Sequence, residues 1–465
     1  MIFYIFILLN SIYFGNSLRI WKTLPSLNRQ LYSKIDISQK LECQTNVIPV
    51  NGFYGLIGPK INYKNVSSLY DLFTGDGIIQ GVFIENGNVT FTQSIINTEK
   101  QQFERKYGIF PYSKNLFITI MNILLNYLRI IPNLLGVANT AFLKVQDKTY
   151  VLFERDKPYE IQIDSNKKHI ETIGKKDIPF LKTFSGHSKV INGFTETIEY
   201  DLLKNQVIWY QLDDEFQHIR DIHVPMKYMP LMHDFYSDND YILMIDSPIK
   251  IDWMKIFSKK IPLYFDQTMP TFIYLIHKST GKIESYQIDR SVYIFHYSDV
   301  KIKESTINIL SPFYDNIDYN TILHNGKYRR LRIDRNSGNT QLFKYRELEC
   351  LNLDFPVQLS SNFPKQYILR SIENGRINGF YVLEKTDIIK KILFQEYFIC
   401  GEPSVCYFNN IQHNRIEPIL LCFATSETKK MQYFIMINLE TDERIEYPIQ
   451  YPLFIGFHSI FLPTI

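Results

Sequence analysis

The sequence holds ten histidines, at positions 169, 187, 218, 223, 233, 277, 296, 324, 413 and 458. Imidazole is the side chain best suited both to ligate a transition metal and to move a proton near neutral pH. Four of the ten share a setting. His187 in SGHSKV, His233 in LMHDF, His296 in VYIFHYS and His458 in FIGFHSIFLP each sit beside an apolar or aromatic residue, at a strand end or a turn into one. The other six fall mostly in polar turns or charged segments. A lone histidine is more often a surface or satisfied core residue than a ligand. Four in like settings, spread along the chain, suit a fold in which successive sheets each present one group to a common centre.

The elements that would present them read as short strands. From about residue 45 onward, apolar stretches alternate with brief Asn/Asp/Gly/Ser turns. Hairpins are expected at 273–288, 331–345 and 434–449, each a strand, a tight polar turn and a second strand. This pattern predicts an antiparallel all-β domain, and a β-propeller buries so many short strands with few exposed edges. No fixed-period repeat accompanies it. Aromatic content of 15%, with 34 Phe and 32 Tyr, favours strands and is compatible with an aromatic-lined cavity. A compositional bias toward Phe, Tyr, Ile, Asn and Lys accounts for the same figure.

A net charge of +3 without a basic stripe gives no sign of a nucleic-acid partner. The five cysteines are odd in number and form no CxxC pair, which supports neither a disulfide framework nor a zinc site and favours a reducing compartment. Two segments depart from the β rhythm. Residues 1–44 join an uncharged hydrophobic leader to a basic, hydroxyl-rich stretch. They read as a signal-like core or anchor, a two-part plastid or endomembrane address, or an irregular extension. The run NLFITIMNILLNYLRIIPNLLG (115–136) reads as an apolar helix ended by Pro132, either buried in the core or lying in a membrane interface. The expected organisation is thus an extension over 1–44 and a propeller domain over 45–465, membrane-associated if the leader or the 115–136 helix binds lipid and otherwise cytoplasmic.

The motifs, taken in order, resemble the carotenoid cleavage oxygenases, a family that includes the retinoid isomerohydrolase and stilbene-cleaving dioxygenases. NGFYGLIGPK with FTGDGIIQGVFIENG (73–87) looks like the family's opening blade and its GDG turn. NTEKQQFE is similar to its Asn-Thr-Glu-Lys segment, and GVANTAFLKVQDKTYVLFERDKPYEI (136–161) to its ANT strand and the Glu-containing strand after it. The four His segments follow in the family's order, ending in GFHSIFLP. The resemblance implies a seven-bladed β-propeller with a helical cap over an axial metal site, holding one Fe(II) on His187, His233, His296 and His458, with O2 as co-substrate. Three carboxylates that orient the imidazoles would be Glu154, Glu402 and, where the family has Glu, Asp354 in LDFPVQL. Asp is one methylene shorter, so a shifted imidazole or a bridging water is expected there. Thr140 matches the residue that places a methyl beside a vacant iron position. Ser188, YSDVKIK after His296 and HNRIEP beyond Glu402 depart from the family pattern.

The function so implied is oxidative cleavage of a conjugated C=C bond of a carotenoid or apocarotenoid to carbonyl products, with a lipophilic polyene as partner. Within the family, the alternatives are stilbene cleavage and retinyl-ester isomerisation. From another class, a catalytically silent propeller that binds a carotenoid or retinoid is the rival.

Overall fold

The computed structural model describes residues 36–464 apart from 43–49, 62–65, 67, 108–120, 123, 127, 129, 256–259, 323, 360–364 and 411–414. Most of the 1–44 leader and residues 115–120 of the apolar run therefore lie outside the described residues. Seven antiparallel sheets follow one another along the chain as the blades of a β-propeller. Blade 1 combines Asp36–Leu41, Gly52–Pro59, Gly77–Glu85 and Asn88–Ile95 with the distant strand Ser459–Pro463. Blade 2 runs from Ala141–Val145 to His169–Lys175, blade 3 from Lys189–Ile191 to His218–Pro225, and blade 4 from Tyr236–Ser237 to Ile283–Ile288. Blade 5 runs from Tyr293–Ile294 to Thr340–Phe343, blade 6 from Leu353–Gln358 to Asp387–Leu393, and blade 7 from Phe398–Ile399 to Arg444–Ile449. The strand Asp36–Leu41, inside the segment read from sequence as an extension, pairs with Asn88–Ile95 at the outer edge of blade 1.

Position within a blade explains the sequence pattern of each strand. Middle strands are covered on both faces by neighbouring blades, so Gly52–Pro59 is buried throughout and Thr271–His277 in all but its last residue. Outermost strands have one wet face: DIIKKIL (Asp387–Leu393) alternates exposed and half-buried positions, and its lysines discourage pairing with another edge. The interblade cores are continuous. One runs from Ile198 and Trp209 in blade 3 through blade 4 to Leu331 in blade 5, and another joins Tyr54 and Phe91 of blade 1 to Phe423 and Phe434 of blade 7. Each large apolar side chain buried in them contributes about 1.5–3 kcal/mol. All three expected hairpins form, and two-residue turns at Asn86-Gly87, Asn192-Gly193 and Asn374-Gly375 carry positive φ at both residues, as tight hairpins require.

The ring closes where Ser459–Pro463 pairs with Gly52–Pro59, with Tyr54 opposite Phe461 and Leu56 opposite Ser459. Helices are few among the described residues, and one of them covers the axis. Leu69–Thr74 begins at a capping box in which Ser68 and Asp71 satisfy each other's backbone N–H groups. Its far end is held by Asn139, whose Nδ2 donates to the carbonyls of Gly75 (2.7 Å) and Phe73 (3.2 Å). The helix Glu99–Tyr107, from the NTEK segment, is fixed from beneath by Lys100, which donates to Asp76 at 2.6 Å and Glu104 at 2.9 Å. The described part of 121–136 is helical only near 121–126, and beyond it Leu128 and Ile130 are exposed. No helix among the described residues is long and apolar enough to cross a membrane.

Asp246, in the second strand of blade 4, anchors the loop that leads to His233 by accepting from the backbone N–H of Lys227 (2.6 Å) and Tyr228 (3.4 Å). Burial raises its carboxyl to about 6 against these donors, and its Oδ1 is buried without a partner. A folded-state pKa above the unfolded value means stability is highest below the ordinary carboxylate range and is lost as pH rises toward 6. Urea unfolding at intervals from pH 4 to 7 should show Asp246→Asn gaining on the wild type with pH, by up to about 3 kcal/mol across the window. A difference independent of pH would contradict this assignment.

Candidate metal centre

Every blade directs one ionisable group at the axis. His187 enters the inner strand of blade 3, His233 precedes that of blade 4, and His458 precedes the closing strand of blade 1. His296 fills the break between Tyr293–Ile294 and Asp299–Ile302 in blade 5. Glu154 follows the second strand of blade 2, Lys148–Leu152; Asp354 lies in the inner strand of blade 6; Glu402 fills the break between Phe398–Ile399 and Ser404–Asn410 in blade 7. These interruptions have a purpose: a continuous strand keeps its side chains on its two faces, whereas a break turns one toward the centre.

The four histidines converge, each offering a ring nitrogen so that all four lie within 4.8 Å of one another. His187 Nε2 and His233 Nε2 are 2.9 Å apart, so at most one of them carries a proton. His296 Nε2 is buried with no hydrogen-bond partner. The outward nitrogens of three rings meet carboxylates. His233 Nδ1 lies 2.9 Å from Glu154 Oε1, His296 Nδ1 2.9 Å from Asp354 Oδ1, and His458 Nδ1 3.2 Å from Glu402 Oε1. For His296 and His458 the contact is a hydrogen bond, which fixes the tautomer that leaves the other nitrogen bare and raises its basicity, whereas Glu154 Oε1 lies close to His233 without hydrogen-bond geometry. Burial and the neighbouring imidazoles push His187 well below the ordinary imidazole range. His296 is also lowered, by burial working against Asp354. Burial presses on His233 too, but Glu154 outweighs it and the net direction is upward. Neutral nitrogens crowded around a point, one of them buried and unpartnered, fit a divalent transition metal, and a set of imidazoles suits iron, copper or zinc.

Asp354 reaches His296 directly, with no bridging group. The inner strand of blade 6 bulges between Asp354 and Val357, and Phe355 adopts φ +56, a left-handed conformation that a bulky residue rarely takes. The bulge turns the shorter side chain toward the axis. There it also accepts from Tyr314 Oη at 2.6 Å and from the Phe355 N–H at 2.8 Å. Burial raises a carboxyl, yet His296, Tyr314 and Arg370 together hold Asp354 below its usual range. Phe355 is kept in its strained conformation by contact on both sides: its ring lies 4.4 Å from His296 and 5.0 Å from His458, with the Arg370 guanidinium 3.6 Å away.

Thr140 is buried in the wall, its methyl carbon so placed that a Cβ on Gly186 would come within 2.9 Å of it. Glycine thus lets the His187 loop approach. Two more glycines do the same for His458 and Glu402: a Cβ on Gly401 would lie 2.7 Å from the Gly456 carbonyl oxygen, and one on Gly456 would overlap Leu56. The Gly456 N–H donates to Cys400 O at 2.6 Å, and Glu402 Oε2 accepts from the Ser459 N–H at 2.8 Å. Sequence reasoning missed these glycines, although SGH, GEP and GFH carry one just ahead of each functional residue. It also gave Asp234 no role. Buried Asp234 ties three histidine loops together, accepting from Lys189 Nζ (2.7 Å) and from the N–H groups of Phe235 (2.8 Å) and Tyr297 (3.5 Å).

His233, His296 and His458 line a cavity of about 540 Å³. Leu69, Leu72, Phe73, Phe295 and Phe457 are among its lining residues, together with Lys327, Arg370 and Tyr314.

A sequence profile of the retinal pigment epithelial membrane protein family matches residues 38–463. The chain is 23% identical over 354 residues to the carotenoid 9,10(9′,10′)-cleavage dioxygenase 1 of Arabidopsis thaliana, covering 72% of this chain and 63% of that protein. It spans less than two thirds of the length of the plant relatives it matches. Among solved structures, the lignostilbene dioxygenase of Pseudomonas brassicacearum is similar with a TM-score of 0.74 at 13% identity, over 93% of this chain and 96% of that one. The cobalt-substituted apocarotenoid oxygenase of Synechocystis gives a TM-score of 0.73 at 15% identity, over 92% and 96%.

The glycine contacts give the geometry a direct check. Gly456→Ala should lower stability by about 1–3 kcal/mol, because the new methyl must displace Leu56 or the loop bearing His458. Thermal unfolding alongside Gly174→Ala, where a Cβ would meet nothing within 4 Å, measures it. Equal melting temperatures for the two variants would refute the packing described.

Proposed function

This chain belongs to the retinal pigment epithelial membrane protein family, that of the carotenoid cleavage oxygenases, and we propose that it is an iron-dependent dioxygenase of conjugated C=C bonds. The observation that carries this reading is the cluster of four imidazoles, three of which (His233, His296 and His458) are backed by carboxylates and line a largely apolar cavity. His187, His233, His296 and His458 would hold Fe(II). The bound metal supplies the redox chemistry, in which both atoms of O2 are added across one double bond and two carbonyl groups replace it.

The chain's own residues do the rest. Leu69, Leu72, Phe73, Phe295 and Phe457 bind a hydrocarbon chain by excluding water and hold it over the imidazoles. Glu154, Asp354 and Glu402 keep the rings aimed inward and offset the charge of a metal whose ligands are all neutral. Thr140 sets a methyl in the cavity wall, where it limits what fits beside the centre. The Tyr314 hydroxyl donates a hydrogen bond to Asp354 and stays neutral, since burial and that carboxylate raise it well above its ordinary range.

A carotenoid or apocarotenoid is the substrate class that the apolar lining of the cavity favours. A phenolic stilbene is the second reading, favoured by Lys327 and Tyr314 in the same lining. Incubating the full chain, loaded with Fe(II), with a carotene, an apocarotenal and a hydroxystilbene under 18O2 tests both. The expected result is O2-dependent formation of aldehydes from a polyene, with about one iron per chain. Iron-loaded protein that releases no carbonyl product would defeat the oxygenase reading and favour a silent polyene binder.

Asp354→Ala should weaken iron binding about 10–100-fold, because it frees His296 to rotate and leaves Tyr314 without its acceptor. Iron titration followed by chelator competition measures this. Unchanged affinity would show that Asp354 does not position the ring.

A further inference from the structure

Arg370 stands in the second strand of blade 6 directly opposite Asp354 in the sheet register, so both side chains lie on one face. It is 9% exposed and lines the same cavity as the imidazoles. Its guanidinium stacks on Phe355, which puts the charge one aromatic ring away from His296 and His458. It makes no hydrogen bond or ion pair with any described residue, and its Nε is buried without a partner. Asp354 and Glu402 act on it only at a distance: the oxygens of Asp354 are engaged by His296, the Phe355 N–H and the Tyr314 hydroxyl, and those of Glu402 by His458 and the Ser459 N–H.

A largely buried guanidinium is costly when its Nε–H is shut away from water without a partner and no described group pairs with its charge. The centre uses its face on Phe355 and its charge near Asp354, but nothing described uses its N–H groups. What relieves it is an anion with two coplanar oxygens, which the guanidinium fork matches with paired hydrogen bonds. A hydroxyl or carbonyl would fill one donor and leave the charge uncompensated. Lys327, the other cation of this lining, adds to the attraction while donating to Leu351 O at 2.9 Å. Burial alone already lowers the Arg370 pKa, as expected where no counter-ion sits in contact.

We propose that Arg370 anchors a substrate carboxylate, so that the chain takes an acid-terminated polyene, with the acidic end beside Phe355 and the hydrocarbon along Leu69, Leu72 and Phe73. This rests on the oxygenase reading for its chemistry, but the anion site can be measured without turnover. The probes are all-trans-retinoic acid and its methyl ester, which differ only in the charged end, with binding followed by quenching of intrinsic fluorescence on the full iron-loaded chain.

The wild type should bind the acid about tenfold or more tighter than the ester. Arg370→Gln should abolish that preference while leaving ester affinity unchanged. Equal affinity for both probes in the wild type overturns the proposal. So does a loss in Arg370→Gln that is the same for acid and ester, because that marks a packing role through Phe355. Should Arg370→Gln not fold, Arg370→Lys carries the test: a narrowed acid preference with the ester unaffected upholds the proposal, and an unchanged preference overturns it. Absence of O2-dependent cleavage alongside an intact, Arg370-dependent acid preference would defeat the oxygenase reading and leave the anion site standing.

Discussion

Four imidazoles within 4.8 Å of one another do not assemble by themselves. Their nitrogens repel when bare and repel more when protonated, and each ring turns freely about two bonds. The contact between a ring nitrogen and a buried carboxylate resolves this, because it uses up the one proton a neutral imidazole carries and fixes which way the ring faces. The rest of the molecule can be understood as what that contact demands. Carboxylates must arrive from blades 2, 6 and 7 to meet histidines on blades 4, 5 and 1, and only a closed ring brings such separated strands to one axis. Buried carboxylates in turn need their remaining oxygens satisfied, which Tyr314 does for Asp354 and Ser459 N–H for Glu402.

His187 is the exception that clarifies the rule. No carboxylate meets it among the described residues, and its pKa is pushed down more strongly than that of His296. Its loop is held instead by backbone and neighbour contacts. Its N–H donates to Ser185 Oγ at 3.0 Å, and Lys189 two residues on is pinned to Asp234. A ring placed by its backbone rather than by a counter-charge depends on how closely that backbone can approach, which is why Gly186 sits against Thr140.

Much of this was legible in the sequence because the information is local. Strand runs, Asn-Gly turns and the apolar settings of four histidines are each written in five or ten consecutive residues, and the hairpins formed where the turn chemistry put them. What escaped depends on pairs far apart in the chain. That Asp354 meets His296 without a bridge follows from a bulge and a positive φ at Phe355, neither of which its residue type announces. Gly456 and Arg370 looked unremarkable until the structure set Leu56 and the cavity against them. The apolar run at 115–136 misled for the opposite reason: its hydrophobicity spoke for one long helix, whereas the described part loses helical form after about residue 126.

The closing strand has a kinetic side. His458 and Ser459–Pro463 adjoin in sequence, so the pairing with Gly52–Pro59 that shuts the ring also delivers the last imidazole. That pairing joins residues some four hundred positions apart, a contact whose entropic cost must be met before anything rewards it. The other six blades are built from local hairpins, but without this pairing the axis lacks His458. The pairing that shuts the ring is therefore the same one that completes the set of four imidazoles.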